Sequence, residues 1–131
     1  MVRRFIQFYK RGGTSPLQKL EGWGKPIEVV VPIYNATDSF PKEEKFGLTS
    51  QIRRAAVSVP SNIAEGAARS SKKEFSYFIS NAQGSASELE TELIIAHQLG
   101  YLSEQLFCEL IKSLERLGRL ISGLPRFVRN S

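Results

Sequence analysis

A single cysteine, Cys108, stands in the 131 residues, which excludes an internal disulfide, a thiolate-rich metal site and a redox pair of thiols. Its expected role is that of a small, buried, apolar side chain on the last helix. Histidine is equally scarce. His97 is the only one, beside Ala96 and Leu99, where a packed or capping imidazole is expected rather than a ligand or a base. No apolar run approaches the roughly 18 residues that a membrane-crossing helix requires, and the opening MVRRFIQFYKRGG has no small-residue cleavage site. A soluble, cytoplasmic chain with no membrane partner is the expectation. A Walker loop, a dinucleotide glycine pattern and a serine elbow are all missing. The Glu-x-x-His spacing of a di-metal bundle is missing too, because Glu92 and His97 stand five apart. No catalysis and no cofactor or metal are therefore expected.

Acidic residues are absent from positions 1–20, which carry Arg3, Arg4, Lys10, Arg11 and Lys19. This arm accounts for the whole formal net charge of +5, because the other 13 Lys and Arg face 13 Asp and Glu. A basic arm attracts phosphate backbones or acidic surfaces, and it serves equally well as a solubilising end. Phe5, Ile6, Phe8 and Tyr9 lie among its arginines, and the Gly12 to Pro16 break reads as a linker. The chain divides into a basic extension over 1–19, one folded domain over 20–125, and a tail over 126–131.

What is present in the body is helical periodicity. Trp23, Ile27, Val30, Val31 and Tyr34 recur at spacings of three and four, predicting a first helix over about 20–39, with a kink or break near Val31 because of Pro32. Leu48, Ile52, Ala55, Ala56, Val59 and Ile63 form the apolar stripe of a second helix, which contains Pro60 and for which Gly66 is a plausible terminator. Ser71 to Glu74 is a capping box opening a third helix through Phe75, Ile79, Ala82, Leu89, Leu93 and Ala96, with Gly100 as a left-handed stop. Ser103 and Glu104 open a fourth, through Leu106, Leu110, Leu114, Leu117 and Ile121, which Gly123 and Pro125 are expected to end. Four amphipathic segments with short connections predict an all-α, antiparallel, up-down-up-down four-helix bundle.

Opposite the stripe of the second helix runs a polar row of Arg54, Ser58, Ser61, Asn62, Glu65 and Arg69, faced on the third helix by Asn81, Gly84, Ser85, Glu88 and Glu92. Polar rows are usually solvated. These residues are short, unlike the Lys and Glu that coat an exposed helix, so a contact surface is favoured, with Arg54 and Glu88 as a candidate pair. Arg53, Arg54, Arg69, Lys72 and Lys73 are expected near one end of the second and third helices, where with the arm they would form a phosphate-binding surface of little sequence preference.

The segment LTSQIRRAAVSVPSNIAEG, continued by Gly84, Ser85, Glu88 and Glu90, closely resembles the four-helix bundle proteins encoded in 23S ribosomal RNA intervening sequences. The resemblance extends over about 20–124 and is most specific over 51–69. It implies an antiparallel bundle, a ring-shaped homopentamer and no enzymatic activity. It also marks Arg54, Ser58, Pro60, Asn62, Glu65, Gly66, Arg69, Gly84, Ser85 and Glu88 as motif and assembly positions. A related group serves reverse transcriptases of diversity-generating retroelements and binds nucleic acid, which makes RNA, DNA or a protein partner plausible by resemblance. Pro26, Pro32 and the extension over 1–19 depart from the family pattern.

Overall fold

The structure, a computed structural model, describes residues 25–130. Arg3, Arg4, Lys10 and Arg11, and the first-helix positions Leu20 and Trp23, lie outside the described residues. Helix α1 spans Lys25–Thr37, a 3-10 turn spans Lys42–Glu44, and α2 (Leu48–Ala67), α3 (Lys72–Gln98) and α4 (Glu104–Asn130) follow, with no strand among the described residues. Each helix packs on two others: α1 on α2 and α4, α2 on α1 and α3, α3 on α2 and α4. The α2–α3 contact is the most extensive, and among the described residues no Cα pair within 8 Å joins helices across either diagonal. Short connections between sequential neighbours make those neighbours antiparallel, so the described chain is a four-helix bundle.

Local chemistry sets the helix ends. The Ser71 side chain caps α3 by accepting a hydrogen bond from the Glu74 N–H at 3.1 Å. At the other end Gly100 takes φ +82°, its N–H donates to the His97 carbonyl, and the Tyr101 N–H donates to the Ala96 carbonyl at 2.9 Å. Those two bonds are the Schellman closure. Ser103 starts α4 in the same way as Ser71 starts α3, accepting from the Leu106 N–H at 3.2 Å.

Several expectations change. Helix α1 is continuous through Pro32, which lies on its exposed side, where water can solvate the carbonyl that the missing N–H leaves without a partner. Its buried residues are Pro26, Val29, Ile33, Ala36 and Thr37, while Val31, Ile27 and Tyr34 are exposed. Residues 26–34 are apolar on almost every side, so periodicity there does not select a face. Helix α2 is likewise single, with Pro60 inside it. Helix α4 passes Gly123 and Pro125 and continues to Asn130. Gly123 lacks the positive φ of a helix stop, and buried Leu124 keeps the helix on the bundle beyond it.

Candidate interaction surface

Helices α2 and α3 cross closely because Gly66 has no side chain. A Cβ at that position would lie 2.9 Å from the Phe78 Cβ and 3.4 Å from the Phe75 carbonyl oxygen. Gly66 is thus a packing residue, not the terminator expected from its place in the sequence, since α2 runs on to Ala67 and Gly66 has no positive φ. Pro60 is half-buried one turn and a half earlier in the same helix.

From this crossing the two polar rows meet side by side. Ser58 Oγ and Ser85 Oγ are 2.8 Å apart, and the Asn62 amide donates to the Ser58 carbonyl at 2.8 Å and to its hydroxyl at 2.9 Å. The three side chains satisfy one another and close one end of a cleft of ≈ 330 Å³ lined by Gln51, Arg54, Ala55, Ser58, Ser85 and Glu88. Arg54 and Glu88 share this cleft, but no ion pair within 4.0 Å joins them; both are exposed, and solvent outcompetes a contact that neither backbone enforces. Gly84, beside the cleft, is exposed, and a Cβ there would meet nothing within 4 Å. Nothing among the described residues uses the close approach that this glycine permits.

Glu92, a member of the α3 polar row in the sequence, is buried in the structure. It is 5 % exposed, and its Oε2 has no hydrogen-bond partner. Burial, then the hydrogen bond and charge of Glu88 one turn away, push its carboxyl from an ordinary 4.5 up to about 7. Since Ser58 pairs with Ser85, the antiparallel register sets Glu92 opposite Gln51, at the far end of the cleft. Its spacing contained the signal: Glu92 stands three after Leu89 and four before Ala96, inside the buried arc.

The basic residues do not form one cluster. Arg53 and Arg54 lie in the second turn of α2, whereas Arg69, Lys72 and Lys73 flank its other end, roughly 20 Å away along the axis. Two of the five are also engaged. The Arg53 guanidinium donates to Thr37 Oγ1 at 2.8 Å and to the Tyr34 carbonyl at 3.2 Å, pairs with Asp38, and lies 4.6 Å from the Tyr34 ring. It therefore closes the C-terminal end of α1, where a cation suits the helix dipole. Arg69 pairs with Glu65 and covers the Phe78 ring at 4.9 Å. Arg54, Lys72 and Lys73 are exposed and in no ion pair within 4.0 Å among the described residues.

His97 stacks on Phe107 with centroids 4.2 Å apart and contacts Glu104 Oε2 at 2.7 Å, bridging the turn between α3 and α4. Cys108 is exposed rather than buried, because it lies off the Leu110, Leu114, Leu117 stripe of α4. Among the described residues no group of three His, Cys, Asp or Glu could hold a metal, and no helix is long and apolar enough to cross a membrane.

A family model described as 23S rRNA-intervening sequence protein matches residues 18–123, which includes all four helices up to the last turns of α4. No curated protein matches the chain.

Proposed function

The chain belongs to the 23S rRNA-intervening sequence protein family, and from that premise we propose that it acts in the cytoplasm, without catalysis, as a homo-oligomer assembled through the α2–α3 face. The observation that carries this reading is Gly84: an exposed helical glycine beside a polar cleft, with open space where its side chain would be. Glycine in a helix interior costs about 1 kcal/mol relative to alanine, and the bundle itself gains no packing from it. The small side chains of Ser58, Ser61 and Ser85 around it let a second backbone approach, and Tyr77 and Ile95 on α3 add exposed apolar area. By family resemblance the assembly is a ring of five.

Light scattering at micromolar concentration tests the reading, with an oligomer expected for the native chain and a smaller species for Gly84→Leu. A Cβ at Gly84 meets nothing within 4 Å among the described residues, so with folding checked by circular dichroism the change in mass reports the interface. A native monomer at that concentration would remove the proposal.

RNA or DNA binding is the second reading, and the charge distribution favours it: the arm over 1–20 holds the entire net charge, while Arg53 and Arg69 on the body are engaged. A ring would multiply that charge by its number of subunits. Filter binding of ribosomal RNA fragments at two salt concentrations should show retention that weakens with salt, and deleting residues 1–19 should abolish most of it without dissolving the oligomer. Equal retention by the truncated protein would refute this division between arm and bundle. A protein partner, such as a reverse transcriptase served by an accessory subunit, is the alternative for the same face; a reverse transcriptase gene alongside would support it.

A further inference from the structure

Tyr77 is 63 % exposed near the start of α3, yet its ring is held in place. It meets the Phe78 ring at 80° with centroids 5.2 Å apart, and the Arg69 guanidinium lies 4.9 Å from the Phe78 centroid. A perpendicular contact of this kind restrains an aromatic ring while leaving it open to solvent. The core beneath is filled without it, by Phe75, Ile79 and Ala82.

The surroundings of the ring are polar and cationic. Lys73 stands four residues before Tyr77 and Asn81 four after it, which sets an ammonium and an amide about 6 Å to either side on one exposed face of α3. Lys72 is exposed beside them. The acids nearby are Glu65, which pairs with Arg69, and Glu74 in the opening turn of α3. Antiparallel packing brings the start of α1, the end of α2, the start of α3 and the end of α4 to this same end of the bundle. The arm over 1–20, with five cations and no acid, precedes α1 here. Helix α4 runs towards it with Arg116, Arg119, Arg126 and Arg129 and no acid after Glu115. The opposite end carries Asp38, Glu43, Glu44, Glu104 and Glu109 against Lys42, Lys45 and Arg53. The chain is thus electrically polar along the bundle, and Tyr77 lies in its positive half.

We propose that Tyr77 is a stacking platform for a base of single-stranded nucleic acid, with Lys72 and Lys73 reaching the adjoining phosphates and Asn81 offering its amide to the same strand. Charge complementarity selects a polyanion for this end, and an open, restrained ring selects a strand whose bases are free to leave their own stack. A duplex keeps its base faces covered and offers the ring nothing beyond charge. The inference rests on the nucleic-acid reading above and adds to it a place on the folded body and a preference for single strands.

Fluorescence anisotropy on the full chain tests it with a labelled oligoadenylate of about 12 nucleotides at two salt concentrations. Tyr77→Ala should weaken binding roughly tenfold at both, because stacking responds little to ions, and Tyr77→Phe should keep most of the native affinity. Replacing Lys72 and Lys73 by alanine should instead flatten the salt dependence. Circular dichroism and light scattering accompany each variant, since Tyr77 also adds apolar area to the assembly face. Native affinity in Tyr77→Ala, or a duplex bound as tightly as the single strand, would overturn the platform while sparing the role of the arm. A smaller species for Tyr77→Ala would assign the ring to the assembly and overturn the platform as well. A native chain that binds no oligoadenylate at low salt would overturn both the platform and the nucleic-acid reading.

Discussion

Glu92→Gln should raise the unfolding free energy by about 2 kcal/mol at pH 8 and leave it nearly unchanged at pH 4. The carboxyl is buried, its Oε2 has no partner, and desolvation followed by Glu88 raises its pKa to about 7. In the unfolded chain the same group titrates near 4.5, so between those values the folded state holds a proton that the unfolded state has released. The stabilisation from that proton is complete below about 4.5 and is lost as pH rises through about 7. Full ionisation in place costs up to about 3 kcal/mol, whereas glutamine, of nearly the same shape, stays neutral throughout. For a domain of this size the gain at pH 8 corresponds to a melting-temperature increase on the order of 8 °C. Urea denaturation at the two pH values is the measurement. A gain of equal size at pH 4 would show that packing, not charge, is responsible.

Gly66→Ala should destabilise the bundle by about 2 kcal/mol and Gly66→Leu by about 3 kcal/mol, although both residues are better helix formers than glycine. Alanine gains roughly 1 kcal/mol of helix propensity, so the steric cost has to exceed that before any loss appears. It does so because the new Cβ would sit 2.9 Å from the Phe78 Cβ and 3.4 Å from the Phe75 carbonyl. Neither atom is the free end of a side chain. Relief requires α3 to move away from α2 along the most extensive helix contact in the bundle. Gly84→Ala is the matched control, since its Cβ meets nothing within 4 Å and only the propensity gain remains. Denaturant titration of the two alanine variants should therefore give shifts of opposite sign. A stabilised Gly66→Ala protein would mean that the helices separate at little cost.

The two glycines show how far the sequence could be read. Both lie in the motif that resembles the family, yet only three-dimensional packing distinguishes a glycine that another helix presses against from one that faces open space. The α3 ends were legible because capping acts within a few residues: Ser71 with Glu74, and Gly100 with its φ of +82°, are local devices. The stripe of α2 was legible because apolar and polar residues alternate cleanly around it. In α1 they do not, and the expected face through Ile27, Val31 and Tyr34 turned out to be the exposed one. Pro32, Gly123 and Pro125 misled for a related reason: a breaker's local cost, a few kcal/mol at most, is outweighed when neighbouring residues keep the helix packed.

Charge was the least legible property. Arg53 and Arg54 are adjacent in sequence and look equivalent, but 100° of helical rotation sends one to clamp the end of α1 and leaves the other in the cleft. Glu88 and Glu92 lie one turn apart on nearly the same side of α3, yet one is exposed and the other 5 % exposed. The sequence by itself determined the helices, most of their ends, their order and the surplus of positive charge in the arm, because propensity, capping and composition act over short distances. Only the tertiary structure decided which glycine is compressed, which arginines are occupied and which carboxylate is stranded, because burial and pairing depend on residues brought together from different helices.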